Sequence, residues 1–288
     1  MHTTLIDVHT LKRHLSHPDW RVIDARFSLA DASQGEREYG EGHVPDAVYA
    51  HLDDDLSGPI VRGATGRHPL PSVDRAAEVF SRLGIDESVQ VVVYDGAGGS
   101  VAARVWWMLR WLGHDAVAVV DGGWPAWIGA GLPVTRDVPQ VVPRTFVPSV
   151  RGHLVTDVDG VDRYRKDADW AVLDARTPER FRGEMEPIDP IAGHIPGARC
   201  ATFDANQEED GCFRAPEELR RRFEGLLGGV PVERAINYCG SGVSACHNLL
   251  AIAHAGLGDA VLYPGSWSEW ITDEERPIGM GEGLEGLE

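Results

Sequence analysis

A low-pKa sulfur nucleophile is what the stretch Cys239-Gly240-Ser241-Gly242-Val243-Ser244 offers. It follows an apolar run, Ala235-Ile236-Asn237-Tyr238, and precedes a helical pattern from Ala245 to Ala251. A buried strand thus delivers a cysteine into a glycine-rich loop that opens a helix. Gly240 and Gly242 can take backbone angles closed to other residues, so the loop can curl around its first side chain. Inward-pointing N–H groups in such a curl form an anion-binding concavity, and the positive end of the next helix adds to that field. A thiolate, or a persulfide anion built on it, is the species stabilised, and the Cys239 pKa should fall. A free cysteine is often only a small buried hydrophobe. Here Gly240, Ser241, Gly242 and Ser244 leave nothing bulky to cover the sulfur, so Cys239 reads as catalytic.

The elements that must position this loop occur twice. Val22-Ile23-Asp24-Ala25-Arg26 returns as Val172-Leu173-Asp174-Ala175-Arg176, and Gly42-His43-Val44-Pro45 as Gly193-His194-Ile195-Pro196. Val91-Val92-Val93-Tyr94-Asp95 matches Ala235-Ile236-Asn237-Tyr238-Cys239, and Gly122-Gly123-Trp124 to Trp127 matches Gly265-Ser266-Trp267 to Trp270. Anchors in the same order at nearly constant offset imply a duplicated domain. Each copy alternates strands and helices. The first shows a helix Ser72–Leu83, a strand Val89–Tyr94, a helix Ser100–Leu112 and a strand Ala116–Val120. The second shows Pro216–Leu227, Ala235–Tyr238, Ser244–Ala255 and Ala260–Tyr263 in the same succession. This alternation predicts an α/β fold, two tandem domains each with a mainly parallel sheet and helices on both faces. Loops after the strand C-termini are where such folds place their sites. The proline-rich stretch 136–150 reads as a connector between domains at 1–135 and 151–280, with a flexible tail at 281–288.

Bulk properties narrow the partners. The chain of 288 residues carries a formal net charge of -18, which speaks against a nucleic-acid partner, since phosphate binding needs a basic face. No apolar stretch is long enough to span a bilayer, and the first residues lack a signal-peptide pattern. The four cysteines, Cys200, Cys212, Cys239 and Cys246, show no metal-ligand spacing, so free thiols in a reducing cytoplasm are expected.

The repeated strand-Asp-Ala-Arg, Gly-His-Ile-Pro-Gly-Ala, cysteine-loop and Gly-Ser-Trp-x-Glu-Trp elements resemble the two-domain rhodanese-type sulfurtransferases, from about Leu5 to Trp270. In that family the first domain is an inactive copy, and Asp95 stands here where Cys239 stands in the second. The loop is similar to the 3-mercaptopyruvate sulfurtransferase branch, with a serine two residues after the cysteine and no charge. The resemblance implies that Cys239 takes sulfur from 3-mercaptopyruvate, holds it as a persulfide and passes it to a thiol, a thioredoxin-like protein or cyanide, without metal or organic cofactor. The alternatives are a thiosulfate sulfurtransferase and a non-catalytic rhodanese-like binding module. By position, Arg180 matches the arginine that binds the donor carboxylate. Ser241 matches a serine beside the reacting sulfur, and His68 and Asp53 match a histidine and an aspartate of proton transfer. Gly240, Gly242, Val243 and Ser244 supply the rest of the donor-binding loop. One departure stands out: the second carboxylate-binding arginine of the branch is missing, and Glu186-Pro187-Ile188-Asp189-Pro190 occupies its place.

Rival chemistries fit less well. A cysteine-dependent phosphatase needs an arginine six residues after the nucleophile, where Ala245 stands. A disulfide oxidoreductase needs a resolving thiol, and Cys246, two helical turns on, reads instead as a buried helix residue. His43, His194, Asp24, Asp174, Arg26 and Arg176 recur in both copies, including the one without the cysteine, and so read as structural.

Overall fold

The computed structural model describes residues 1–96 and 98–282. The chain divides into two compact units. The first unit comprises Met1–Gly58, Pro71–Arg151 and Glu209–Phe213; the second comprises Pro59–Leu70, Gly152–Glu208 and the chain from Arg214 onward. Each unit thus takes in a short loop encoded in the other repeat. The reason is local packing: Gly66 and Arg67 lie against Gly265 and Ser268, while the Phe213 N–H donates to an Asp121 carboxylate oxygen at 2.8 Å.

In the first unit, strands β1 (Leu5–Ile6), β2 (Trp20–Asp24), β3 (Ala47–Tyr49), β4 (Gln90–Tyr94) and β5 (Val117–Val120) form a parallel sheet in the order β1-β5-β4-β2-β3. In the second, β6 (Ala171–Asp174), β7 (Arg199–Cys200), β8 (Ala235–Tyr238) and β9 (Val261–Leu262) pair in parallel in the order β7-β6-β8-β9. The duplication extends to register: Asp24 pairs with Tyr94, and Asp174 with Tyr238. Every residue of β4 and β8 is buried, as the continuous apolar runs require of strands covered on both faces.

The flanking helices follow their patterns closely. Ser72 caps Val73–Arg82, its hydroxyl accepting from the Arg75 N–H, and Ala76, Val79 and Phe80 face the core. Pro216 opens Pro216–Leu227, which buries Leu219, Phe223 and Leu227 at helical spacing. The helix after each site loop, Ser100–Trp111 or Ala245–His254, is buried almost throughout. The expected strand 260–263 shortens to Val261–Leu262, which pairs with β8 and is bridged in parallel at Leu262 by Val155. The connector 136–150 contains no helix or strand, and most of the expected tail lies outside the described residues.

The shared polar residues hold strand ends in both units. Arg26 donates two ways to Asp24 and also to the Gly42 carbonyl at 2.7 Å, while its guanidinium lies 4.4 Å from the Trp124 ring centroid. Arg176 repeats this with Asp174, with the Gly193 carbonyl at 2.6 Å and with Trp267 at 4.7 Å. His43 and His194 each donate from Nδ1 to a backbone carbonyl, of Tyr39 and Phe181 respectively. Structural work accounts for each of them.

Candidate active site

Cys239 leaves the C-terminal end of β8 and enters the loop that opens helix Ala245–His254. Gly242 is at φ +77, and a Cβ there would lie 2.3 Å from the Pro264 carbonyl oxygen, so only glycine lets the chain turn this tightly. The turn brings the Gly242 N–H to 3.1 Å from Cys239 Sγ, to which it donates. The loop is tied down from below. The Trp267 N–H donates to the Cys239 carbonyl and the Ser268 N–H to the Gly240 carbonyl, both at 2.9 Å. The Cys239 N–H in turn donates to Ser266 Oγ at 3.0 Å.

Burial alone would push the thiol up. It is outweighed by donors aimed at the sulfur, namely the Ser244 hydroxyl and the N–H groups of Ser241, Ala245 and Gly242, and the Cys239 pKa lies below its ordinary value. The sulfur therefore sits among donors that favour its thiolate form. Val243, nearly buried, lines the same turn. In the first unit the equivalent concavity is filled: the Asp95 carboxylate accepts from the N–H groups of Gly99, Val101 and Ala102 at 2.8–2.9 Å.

Three further side chains gather at the loop. His68 Nδ1 is 2.7 Å from Ser241 Oγ, and both residues are about 95% buried (5% exposed each). Arg180 comes from the short helix Pro178–Arg182 and is held by Glu186 and Asp189, at 2.8 and 3.2 Å. Arg67, adjacent to His68, brings a second guanidinium to the same place: a Cβ on Gly240 would lie 2.8 Å from Arg67 Nη2 and 3.4 Å from Arg180 Nη2. Sequence reasoning missed Arg67. The available signal was an arginine next to the motif histidine together with an acid, Asp189, where a base was expected. Arg182 and Arg199 are engaged elsewhere, with Glu184 and with the Leu226 carbonyl. Asp53 lies in the first unit, exposed, with its N–H donating to His51 Nδ1. Cys246 is fully buried and its thiol donates to the Gly242 carbonyl at 3.3 Å, which suits a helix residue rather than a resolving thiol.

This cluster pairs a thiol of lowered pKa with a hydroxyl–imidazole couple and two cations, which suits attack on the sulfur of an anionic donor. The chain matches the Rhodanese-like domain family twice, over residues 7–130 and 157–273. It is 48% identical over 279 residues to a Pseudomonas aeruginosa protein named "Probable 3-mercaptopyruvate sulfurtransferase", covering 96% of this chain and 98% of that one. An Arabidopsis thaliana "Thiosulfate/3-mercaptopyruvate sulfurtransferase 1, mitochondrial" is 34% identical over 300 residues, covering 95% of this chain and 77% of the other. Among solved structures, the 3-mercaptopyruvate sulfurtransferase from Leishmania major aligns with a TM-score of 0.81 at 31% identity, covering 93% of this chain and 74% of that one.

Proposed function

The chain belongs to the rhodanese-like family, carrying its domain twice, and on that footing we propose that it moves sulfur from 3-mercaptopyruvate to a thiol acceptor through a persulfide on Cys239. The observation that carries this reading is the Cys239 sulfur accepting the Gly242 N–H beside the Ser241–His68 pair. The Cys239 thiolate attacks the donor sulfur; a sulfur–sulfur bond forms and the carbon–sulfur bond breaks. The electron pair passes to the donor carbon, leaving the enolate of pyruvate. The proton given up by the transferred sulfur travels through Ser241 and His68 to that carbon. The loop amides then stabilise the persulfide anion until an acceptor thiolate takes its outer sulfur and restores Cys239.

Arg180 orients the donor carboxylate, for which a fork of donors is suited. The first repeat, with Asp95 filling its concavity, serves as scaffold. Asp53 assists proton transfer only by its resemblance in position. Free thiols at all four cysteines fit a reducing cytoplasm. Among the described residues, no helix is long and apolar enough to cross a membrane. A second reading has thiosulfate as donor, which the paired guanidiniums of Arg67 and Arg180 favour because they also suit a dianion. Intact mass after incubation with each donor tests both: wild type should gain one sulfur and Cys239→Ser none. The faster donor identifies the substrate, and no gain with either refutes sulfur transfer.

A further inference from the structure

Two guanidiniums close to one point repel unless an anion lies between them. Here that anion is Asp189, whose side chain is 3% exposed. One of its oxygens accepts from Arg67 Nη1 and the other from Arg180 Nη2 at 3.2 Å. A single carboxylate therefore bridges both arginines, the arrangement by which a bound carboxylate would be gripped. Arg180 is also held by Glu186, through Nε at 3.0 Å and Nη2 at 2.8 Å. Arg67, by contrast, keeps a buried Nε that meets no hydrogen-bond partner among the described residues. Burial weakens the Arg67 charge, and the neighbouring charge of Cys239 supports it.

The arginine is presented by a firmly seated backbone. Its N–H donates to Ser268 Oγ at 3.1 Å, and a Cβ on Gly66 would lie 2.4 Å from the Gly265 carbonyl oxygen. These contacts fix the approach of the side chain to Gly240, the residue after the nucleophile.

We propose that Arg67 and Arg180 together grip the carboxylate of the sulfur donor, and that Asp189 is an internal carboxylate holding the pair in place until the donor displaces it. Arg67 thereby supplies, from a different part of the chain, the second guanidinium absent near Ile188. The identity of the donor as a 2-oxo acid bearing a thiol rests on the function proposed above. The role of Arg67 in recognising a carboxylate next to Cys239 does not.

The test uses full-length wild type, Arg67→Ala, Arg67→Lys and Asp189→Asn. Alkylation of Cys239 is followed by peptide mass with iodoacetate, which carries a carboxylate, and with uncharged iodoacetamide. Arg67→Ala should lower the iodoacetate-to-iodoacetamide rate ratio about tenfold and raise KM for 3-mercaptopyruvate by about 10- to 100-fold, the loss of one charge-assisted contact. Arg67→Lys should fall between, keeping charge and losing the fork. Asp189→Asn should shift both readouts the opposite way, because it removes the competing anion. Should Arg67→Ala not fold, Arg67→Lys and Asp189→Asn carry the comparison. If Arg67 only braces Asp189, both substitutions break the same bridge and shift the ratio in the same direction, which overturns the proposal. Absence of sulfur loading from any donor refutes the sulfurtransferase reading, and the alkylation ratio still decides the role of Arg67.

Discussion

His68 Nδ1 and Ser241 Oγ lie 2.7 Å apart although 173 residues separate them in the chain. The loop donors themselves favour the Cys239 thiolate, so the pair is assigned to proton movement in the proposed reaction. Ser241→Ala and His68→Gln should each lower kcat by roughly 100-fold, the scale of a positioned proton relay. The double variant should lose little more than either single one. Additive losses in single-turnover persulfide formation would show two separate roles.

Cys239 should react as a thiolate at pH values where an ordinary thiol, titrating near 9, is still protonated. With a lowered pKa, the charged form persists above that lowered value and reactivity falls as pH drops through it. The iodoacetamide rate against pH should therefore inflect below 9. Ser244→Ala removes one of the donors and should move the inflection upward. An inflection unmoved by Ser244→Ala would remove its hydroxyl from the set.

The loop glycines should respond differently to alanine. At Gly242 the new Cβ meets Pro264 backbone at 2.3 Å and the residue must hold φ +77, so Gly242→Ala should cost at least ~2 kcal/mol and abolish turnover. At Gly240 the neighbours are the guanidinium ends of the Arg67 and Arg180 side chains, not backbone. Gly240→Ala should leave thermal stability within a few degrees of wild type, while raising KM for an anionic donor. Equal loss of melting temperature in both would mean that the arginine tips cannot give way.

Asp95 is anchored by three backbone N–H groups in the first unit. Asp95→Ala strands these buried donors and should destabilise the protein by about 2–4 kcal/mol in urea unfolding, given about 1–3 kcal/mol for an unsatisfied buried group. Asp95→Asn keeps an acceptor oxygen and should cost less. Full activity at low temperature in both variants is the result expected of a scaffold.

Much of this was readable before any coordinates. The continuous apolar run Ala235–Tyr238, followed by glycines and a helical pattern, located the cysteine and its concavity, because strand, tight turn and helix start are all locally encoded. The duplication exposed the structural residues: an Asp–Arg pair kept in both copies had to serve something other than sulfur chemistry. Arg67 was legible only as an arginine beside the motif histidine, with an acid, Asp189, where a base was expected. Its approach to Gly240 depends on where the backbone of Gly66 seats against Gly265, a contact across 199 residues that no local pattern announces. Linear repeats show where a copy is written and not which core its loops join.

The segment Pro59–Leu70 is written in the first repeat and packed in the second unit. A protease cut or an engineered split within the connector would therefore leave Arg67 and His68 on one polypeptide and Cys239 on the other. On the mechanism proposed above, neither half could then be lost, exchanged or expressed alone without taking part of the reaction with it.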